Sequence, residues 1–282
     1  MSRETDTDAS PWTRHALQWG KVGSPLRPVA ADTELYWHAI TSALPRTELA
    51  RAQILLLGAT PELASMSWPA GASLMACDLS LDMLRGVWPL GRFPGTLAAA
   101  VNANWLALPL DSGSCSVVIG DGSLSVMSRV ADFERISLEL HRVLQPSGLL
   151  VLRLFCQPAV AELPESVLAD LRRGHVGSFH AYKWRLVMAI HAGDENASLD
   201  DVWKVWTTEF PDPDQVRALS GWPAEAIQTP GAYRGASARY SFFRLAEVRA
   251  MLSAEFEFID AVWPTYELGE RCPVASFRRR AR

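Results

Sequence analysis

Residues 53–84 read QILLLGATPELASMSWPAGASLMACDLSLDML. Ile54, Leu55, Leu56 and Leu57 form an unbroken apolar run, as expected of a strand covered on both faces inside a parallel sheet. Gly58 stops it. Pro61 follows where a first helical position tolerates a residue without an N–H. A second apolar run, Leu74–Cys77, ends at Asp78, twenty positions after Gly58. Ser80 then caps a helix that starts near Leu81. The stretch spells strand, tight turn, short helix, strand, acid, helix. In an open α/β sheet this sets the turn and the acid side by side at the C-terminal ends of neighbouring strands, where ligands bind. A helix N-terminus beyond Gly58 offers free N–H groups to an anionic part of a ligand. A carboxylate on the next strand can accept both hydroxyls of a ribose. The first inference is an adenosine-containing ligand.

The turn narrows the choice. A dinucleotide site wants G-x-G-x-x-G, so that backbone can approach a pyrophosphate. Here Gly58-Ala59-Thr60-Pro61-Glu62 has one glycine and an acid that repels pyrophosphate. No Gly-Lys-Ser/Thr follows, so there is no P-loop. S-adenosylmethionine, a nucleoside carrying an amino acid and no phosphate, asks less of the turn.

Working outward, Gly95–Val101 reads as a third strand, with Asn104 and Trp105 beyond its end. The Asn104 amide can pair with an adenine edge, and Trp105 offers a stacking face. Met83 fits either the face of an adenine or plain core. Cys115–Gly122 is a fourth strand ending in Asp121 and Gly122, which leaves space near a reacting centre. Phe133, Ile136, Leu140, Val143 and Leu144 recur at helical spacing over 131–144. Gln145–Gly148 turns the chain into a fifth strand, Leu149–Phe155. Leu245–Leu252 reads as a helix. Phe256–Val262 and Pro273–Phe277 read as a closing antiparallel hairpin.

Residues 1–10 are polar and expected to be disordered. Pro11–Arg51 predicts an N-terminal helical segment, with Asp32 capping a helix over 35–44 and Gly23–Pro28 breaking the segment in two. It is either a layer packed on the sheet or a lid, with Arg27 or Trp19 facing the ligand. From about 157 to 241, helical stretches near 160–173, 179–192 and 199–210 alternate with Gly/Pro breaks, and Trp184, Trp203, Trp206 and Trp222 concentrate there. This reads as an insertion after strand five, set over the ligand crevice as a water-excluding cap. A packing appendage or the surface of a homodimer is the alternative. The domain plan is therefore 1–50, then 51–282 carrying the insertion.

With 49% apolar residues the chain can bury a large core. A net charge of −4 with both signs interspersed argues against nucleic-acid partners. Arg278, Arg279, Arg280 and Arg282 read as a solvated tail. No apolar run approaches a membrane span, and the N-terminus lacks a signal-peptide core. Cys77, Cys115, Cys156 and Cys272 have no metal spacing and read as buried free thiols in a cytoplasmic protein.

Over Arg51–Phe155 and the closing hairpin, the chain resembles the class I S-adenosylmethionine-dependent methyltransferases, the seven-stranded Rossmann-like group. The likeness is carried by ILLLGAT, CDLSLDML, NANWLALPL, VVIGDGS and HRVLQPSGLLVLRLF. It implies an α/β, three-layer, mostly parallel sheet with S-adenosylmethionine as cofactor and no metal. By the resemblance Gly58, Ala59 and Thr60 face the methionine part and Asp78 the ribose. Leu79 and Met83 face the adenine, Asn104 and Trp105 its edge. Asp121 and Gly122 border the methyl group. The sequence departs from the family at the turn, where Leu56 and Leu57 replace an acid, and at Asn104, where an acid is usual. The expected function is methyl transfer to a small molecule. The alternative is a non-catalytic nucleoside-binding or interaction module with a degenerate turn. A nicotinamide oxidoreductase fails on the missing glycines and the hairpin. Asp121, His175, His180, Tyr36, Tyr240 and Tyr266 are the candidates for a general base, and no catalytic residue is singled out.

Overall fold

The computed structural model describes residues 11–93, 96–127, 130–191 and 196–281. The predicted start of the third strand at Gly95 lies outside these, as do residues 1–10.

The N-terminal segment folds as helices α1 (Pro11–Gln18), α2 (Ala30–Ala43) and α3 (Arg46–Leu49). Then β1 (Gln53–Leu57), α4 (Pro61–Ala64), β2 (Ser73–Asp78), α5 (Leu81–Gly86), β3 (Leu97–Asn102), β4 (Cys115–Asp121), α6 (Val130–Val143) and β5 (Leu144–Arg153) alternate along the chain. The inserted region holds α7 (Pro164–Arg172), α8 (Phe179–His191), β6 (Ala197–Ser198), α9 (Leu199–Glu209), α10 (Pro213–Ser220), α11 (Ala224–Gln228) and β7 (Arg239–Tyr240). The chain closes with α12 (Leu245–Leu252), β8 (Phe256–Val262) and β9 (Val274–Arg279).

The main sheet has seven strands in the order β3-β2-β1-β4-β5-β9-β8. The pairs among β1–β5 are parallel, and β9 runs antiparallel between β5 and β8. The expected α/β Rossmann-like class and its closing hairpin are therefore present. Strand order reverses at β1 and β4, which opens a crevice beyond their C-terminal ends. Register sets what faces that crevice: Leu57 lies beside Cys77 and Gly120, Asp78 beside Asn102, and Asp121 beside Arg153.

The apolar runs divide by strand alternation. Ile54 and Leu56 point into one core with Tyr36, Ile40, Leu44, Val117 and Val151. Leu55 and Leu57 point into the other, with Phe133, Ile136, Leu140, Leu150 and Phe277. Helix α2 is thus a layer on one face and α6 a layer on the other. The inserted region has a third core built on Phe179, Tyr182, Trp206 and Trp222, whose rings meet edge-on or tilted at 5.5–6.2 Å. Arg271 and Arg185 both grip Glu162 and fasten this region to the sheet.

Two sequence expectations are corrected. Asp32 is not the N-cap of α2. Val29 holds that position, and Asp32 sits inside the first turn, accepting the Val29 N–H at 2.8 Å. Its second carboxylate oxygen is spent elsewhere, as described below. Of the terminal arginines, Arg278 and Arg279 are not a solvated tail, while Arg282 lies outside the described residues. Arg278 and Arg279 belong to β9, and Arg278, Arg279 and Arg280 donate to the carbonyls of Ser147, His141 and Ser253.

Candidate functional site

Gly58 has φ of +101°, a backbone conformation that only glycine adopts without strain, and its N–H donates to the Cys77 carbonyl at 2.8 Å. The bend leaves β1 pointing past Asp78. A Cβ on Gly58 would stand 3.9 Å from Asp78 Oδ2 and 3.8 Å from the Trp105 ring, so turn, acid and indole share one hollow. Trp105 is held across it by its indole N–H, which donates to the Cys77 carbonyl at 2.6 Å. Asn102 fixes the next turn by donating to the carbonyls of Asp78 and Leu79.

Asp78 accepts the N–H of Ser80 at 2.8 Å, and the Ala59 N–H also bonds it. Burial pushes its carboxyl up to about 6, against the pull of those two N–H groups. A carboxylate has about four acceptor sites, so Asp78 retains capacity for two ligand hydroxyls. Ser80 caps α5 as expected, accepting from Met83 N at 3.3 Å. The helix N-terminus expected to offer N–H groups to an anion is short. Helix α4 has four residues, and the Ala59 N–H turns to Asp78 instead.

The hollow is part of a cavity of about 890 Å³. Every residue expected to contact the cofactor lines it: Gly58, Ala59, Thr60, Asp78, Leu79, Met83, Asn104, Trp105, Asp121 and Gly122. Their roles differ from the expectation in places. Leu79 is an exposed rim residue, and the Asn104 amide oxygen already accepts the Leu106 N–H. Gly122 carries φ of +59°, and a Cβ there would meet the Phe155 ring at 2.4 Å, so this position has room for nothing larger.

The remaining wall comes from both appendages. The N-terminal segment supplies Trp12, Trp19 and Leu26. Helix α2 packs on the sheet, while Trp12 and Trp19 line the cavity. Arg27 turns away and pairs with Glu62. The inserted region supplies Lys183, Trp184, Leu199 and Ser237–Tyr240.

Behind Asp121 lies a buried polar cluster that the sequence reading missed. Arg153 is fully buried. Its Nε and Nη2 donate to the two Asp121 oxygens at 2.6 and 3.1 Å, and its Nη1 donates to Asp32 at 3.2 Å and to the Tyr266 hydroxyl at 2.8 Å. Tyr266 in turn donates to the other Asp32 oxygen at 2.7 Å. Burial works against the guanidinium charge, but Asp121 above all holds its pKa well above the ordinary value. Tyr36 bridges the strand ends, donating to the Gly120 carbonyl at 2.6 Å and accepting the Arg153 N–H at 2.7 Å. A signal was available: the apolar run LLVLRLF carries one arginine, at the register of Asp121.

The cluster decides among the candidate bases. Asp121 is committed to Arg153, and burial raises the pKa of Tyr36 and Tyr266, so both keep their protons. His175 is exposed beside Asp170 and outside the cavity wall. His180 is half-buried and does not line the cavity; desolvation and the Lys183 charge push it down to about 4. Tyr240 lines the cavity, with burial pushing its phenol up to about 12. Among the described residues, no group of three or more His, Cys, Asp or Glu could hold a metal, and no helix is long and apolar enough to cross a membrane. All four cysteines are buried free thiols.

Residues 56–152 match a family described as a methyltransferase domain. No curated protein matches the chain. Solved structures with the same fold include an S-adenosylmethionine-dependent methyltransferase from Methanosarcina mazei, 18% identical, covering 85% of this chain and 96% of its own, with a TM-score of 0.50. An S-adenosylmethionine-dependent methyltransferase from Aquifex aeolicus is 11% identical over 96% of this chain and all of its own, with a TM-score of 0.51. A candidate zinc-dependent alcohol dehydrogenase from Rhodobacter sphaeroides is 15% identical over 96% and 97% of the two chains, with a TM-score of 0.61. At these identities the structural likeness speaks for the fold alone. The domain match over residues 56–152, the order of the seven-stranded sheet and the Gly58–Asp78 hollow agree: this part of the chain is similar to a methyltransferase domain, carried on a Rossmann-like sheet.

Proposed function

We propose that this protein binds S-adenosylmethionine in the hollow at Gly58 and Asp78 and catalyses transfer of its methyl group to a small molecule held under the inserted region. The observation that carries the reading is the shared hollow of the Gly58 bend, the Asp78 carboxylate and the Trp105 indole. Asp78 would take the ribose hydroxyls, Met83, Leu79 and Asn104 the adenine, and Gly58, Ala59, Thr60 and Gly122 the methionine part. When bound, the cofactor supplies an activated methyl on a sulfonium that is already a good leaving group.

The chain's own contribution is then alignment and exclusion of water. Gly122 and Phe155 shape the floor of the transfer site, and Trp12, Trp19 and Trp184 close its sides. Of the bases weighed from the sequence, Asp121 is committed to Arg153 and neither His175 nor His180 lines the cavity, which suits an acceptor that reaches the cavity already ionised or with a lone pair available. A non-catalytic binding module draws support from the single-glycine turn. The open cavity between Asp121 and the inserted region supports turnover instead, because a relic site would be filled by side chains. The four buried free thiols suit a reducing cytoplasm.

Calorimetric titration with S-adenosylmethionine and its demethylated product S-adenosylhomocysteine tests the reading. Binding in the micromolar range is expected, weakened at least about tenfold by Asp78→Ala. No heat at millimolar ligand would sink it.

A further inference from the structure

We propose that Lys183 recognises the methyl acceptor, and that the acceptor presents an anionic oxygen group, such as a carboxylate, on a flat aromatic body. This rests on the methyl-transfer reading above and names the substrate class of the same cavity.

Lys183 stands in the cavity wall, on α8, and is 4% exposed. Its ammonium donates to the Tyr233 hydroxyl at 3.1 Å and lies 4.6 Å from the Tyr233 ring centroid and 5.9 Å from that of Trp184. An ammonium has three donors, and only this one is spent on a hydrogen bond among the described residues. The groups packed around it are the phenols of Tyr233 and Tyr240, both held protonated by burial, and His180, held neutral. None brings negative charge. Burial alone acts on Lys183 and pushes its pKa down to about 7.

The next residue repeats the pattern. The Trp184 indole N–H is buried without an acceptor among the described residues. Of the lining residues from the inserted region, none is acidic, and Arg239 adds a second cation. This wall therefore has donors and positive charge to spare and carries no carboxylate. A buried ammonium without a counter-charge is costly, so its place in a binding wall points to a partner that arrives with the ligand. The body of that ligand is set by the rings. Trp184 meets Phe155 at 5.0 Å and Tyr240 at 5.3 Å, both edge-on, forming an aromatic corner beside the lysine.

The test uses the full chain loaded with S-adenosylhomocysteine and titrated with benzoate and with its neutral isostere benzamide. Benzoate should bind at least about tenfold more tightly than benzamide. Lys183→Met should abolish that preference and leave S-adenosylhomocysteine affinity unchanged, which also shows that the variant folds. At about pH 8, benzoate binding to the wild type should take up protons, read as a buffer-dependent heat, because the anion restores the ammonium. Equal binding of benzoate and benzamide, no benzoate binding at about 10 mM, or full benzoate affinity in Lys183→Met would overturn the proposal. A loss of S-adenosylhomocysteine affinity in that variant would put the lysine on the donor and overturn it as well. Failure of the wild type to bind S-adenosylhomocysteine is the separate result that defeats the methyl-transfer reading.

Discussion

Two cations are buried near Phe155, and the protein treats them in opposite ways. Arg153 stacks 5.3 Å from the Phe155 ring centroid and is met by two carboxylates and a phenol. Lys183 follows Phe155 only through the neighbouring Trp184 and is met by one neutral hydroxyl. The first pattern is that of a structural cluster, in which every charge is answered from within the fold. The second leaves a charge to be answered from outside. Burial acts on both, yet Asp121 and Asp32 reverse its effect on Arg153, and nothing reverses it on Lys183.

Breaking the first side should give the largest effect. Arg153→Met strands two carboxylates in the core and should destabilise the protein by about 3–5 kcal/mol in urea unfolding. A loss under about 1 kcal/mol would mean that water reaches the cluster and that the contrast is false. Tyr36→Phe leaves the Gly120 carbonyl and the Arg153 N–H without their shared partner, and should cost about 1–3 kcal/mol in the same measurement.

The lysine side should respond with the opposite sign. The Lys183 pKa is lowered in the fold, so the unfolded chain binds more protons above about pH 7. Wild-type stability should therefore gain up to about 1 kcal/mol per pH unit from this group as pH rises from about 7 toward 9. Lys183→Met should lack that gain relative to wild type, and parallel pH profiles of the two proteins would refute the assignment of Lys183 as unanswered.

Asp78 sharpens the comparison from the cofactor side. Its carboxyl is raised to about 6 by burial, so the native state holds a proton between about pH 4 and 6 that the unfolded chain has released. Above that window the ionised form costs stability. Asp78→Asn should thus melt a few degrees higher than wild type near neutral pH while binding S-adenosylmethionine more weakly. In the wild type, affinity should fall several-fold as pH drops through about 6, and in Asp78→Asn it should stay flat.

The hollow at Gly58 and Asp78, the proposed cofactor half of the site, is built locally. Gly58, Asp78 and Ser80 lie within one strand–turn–strand unit, where an apolar run, a glycine and a terminal acid have fixed geometric meaning. The wall around Lys183, the proposed acceptor half, is not. Lys183 sits in a helix with no exposed residue, and its ammonium finds its partner in Tyr233, fifty positions away, which no local pattern announces. Asp32 was misplaced for the same reason. Its position near a helix start suggested a cap, whereas its second oxygen answers Tyr266, 234 positions distant. The terminal arginines, read as a tail from their clustering, are pinned to carbonyls that only the finished sheet assembles.

The reach of the Arg153 cluster has a kinetic consequence. Asp32, Asp121, Arg153 and Tyr266 come from four well-separated parts of the chain, and Asp32 and Tyr266 are 234 positions apart. Closing such distant loops is slow, and charges left half-answered would rather stay in water. The cluster should therefore form late, after the central strands have paired, so substitutions in it should hasten unfolding far more than they retard folding. The same bonds that hold the rim of the cavity would then act as the latch that keeps the finished protein from opening.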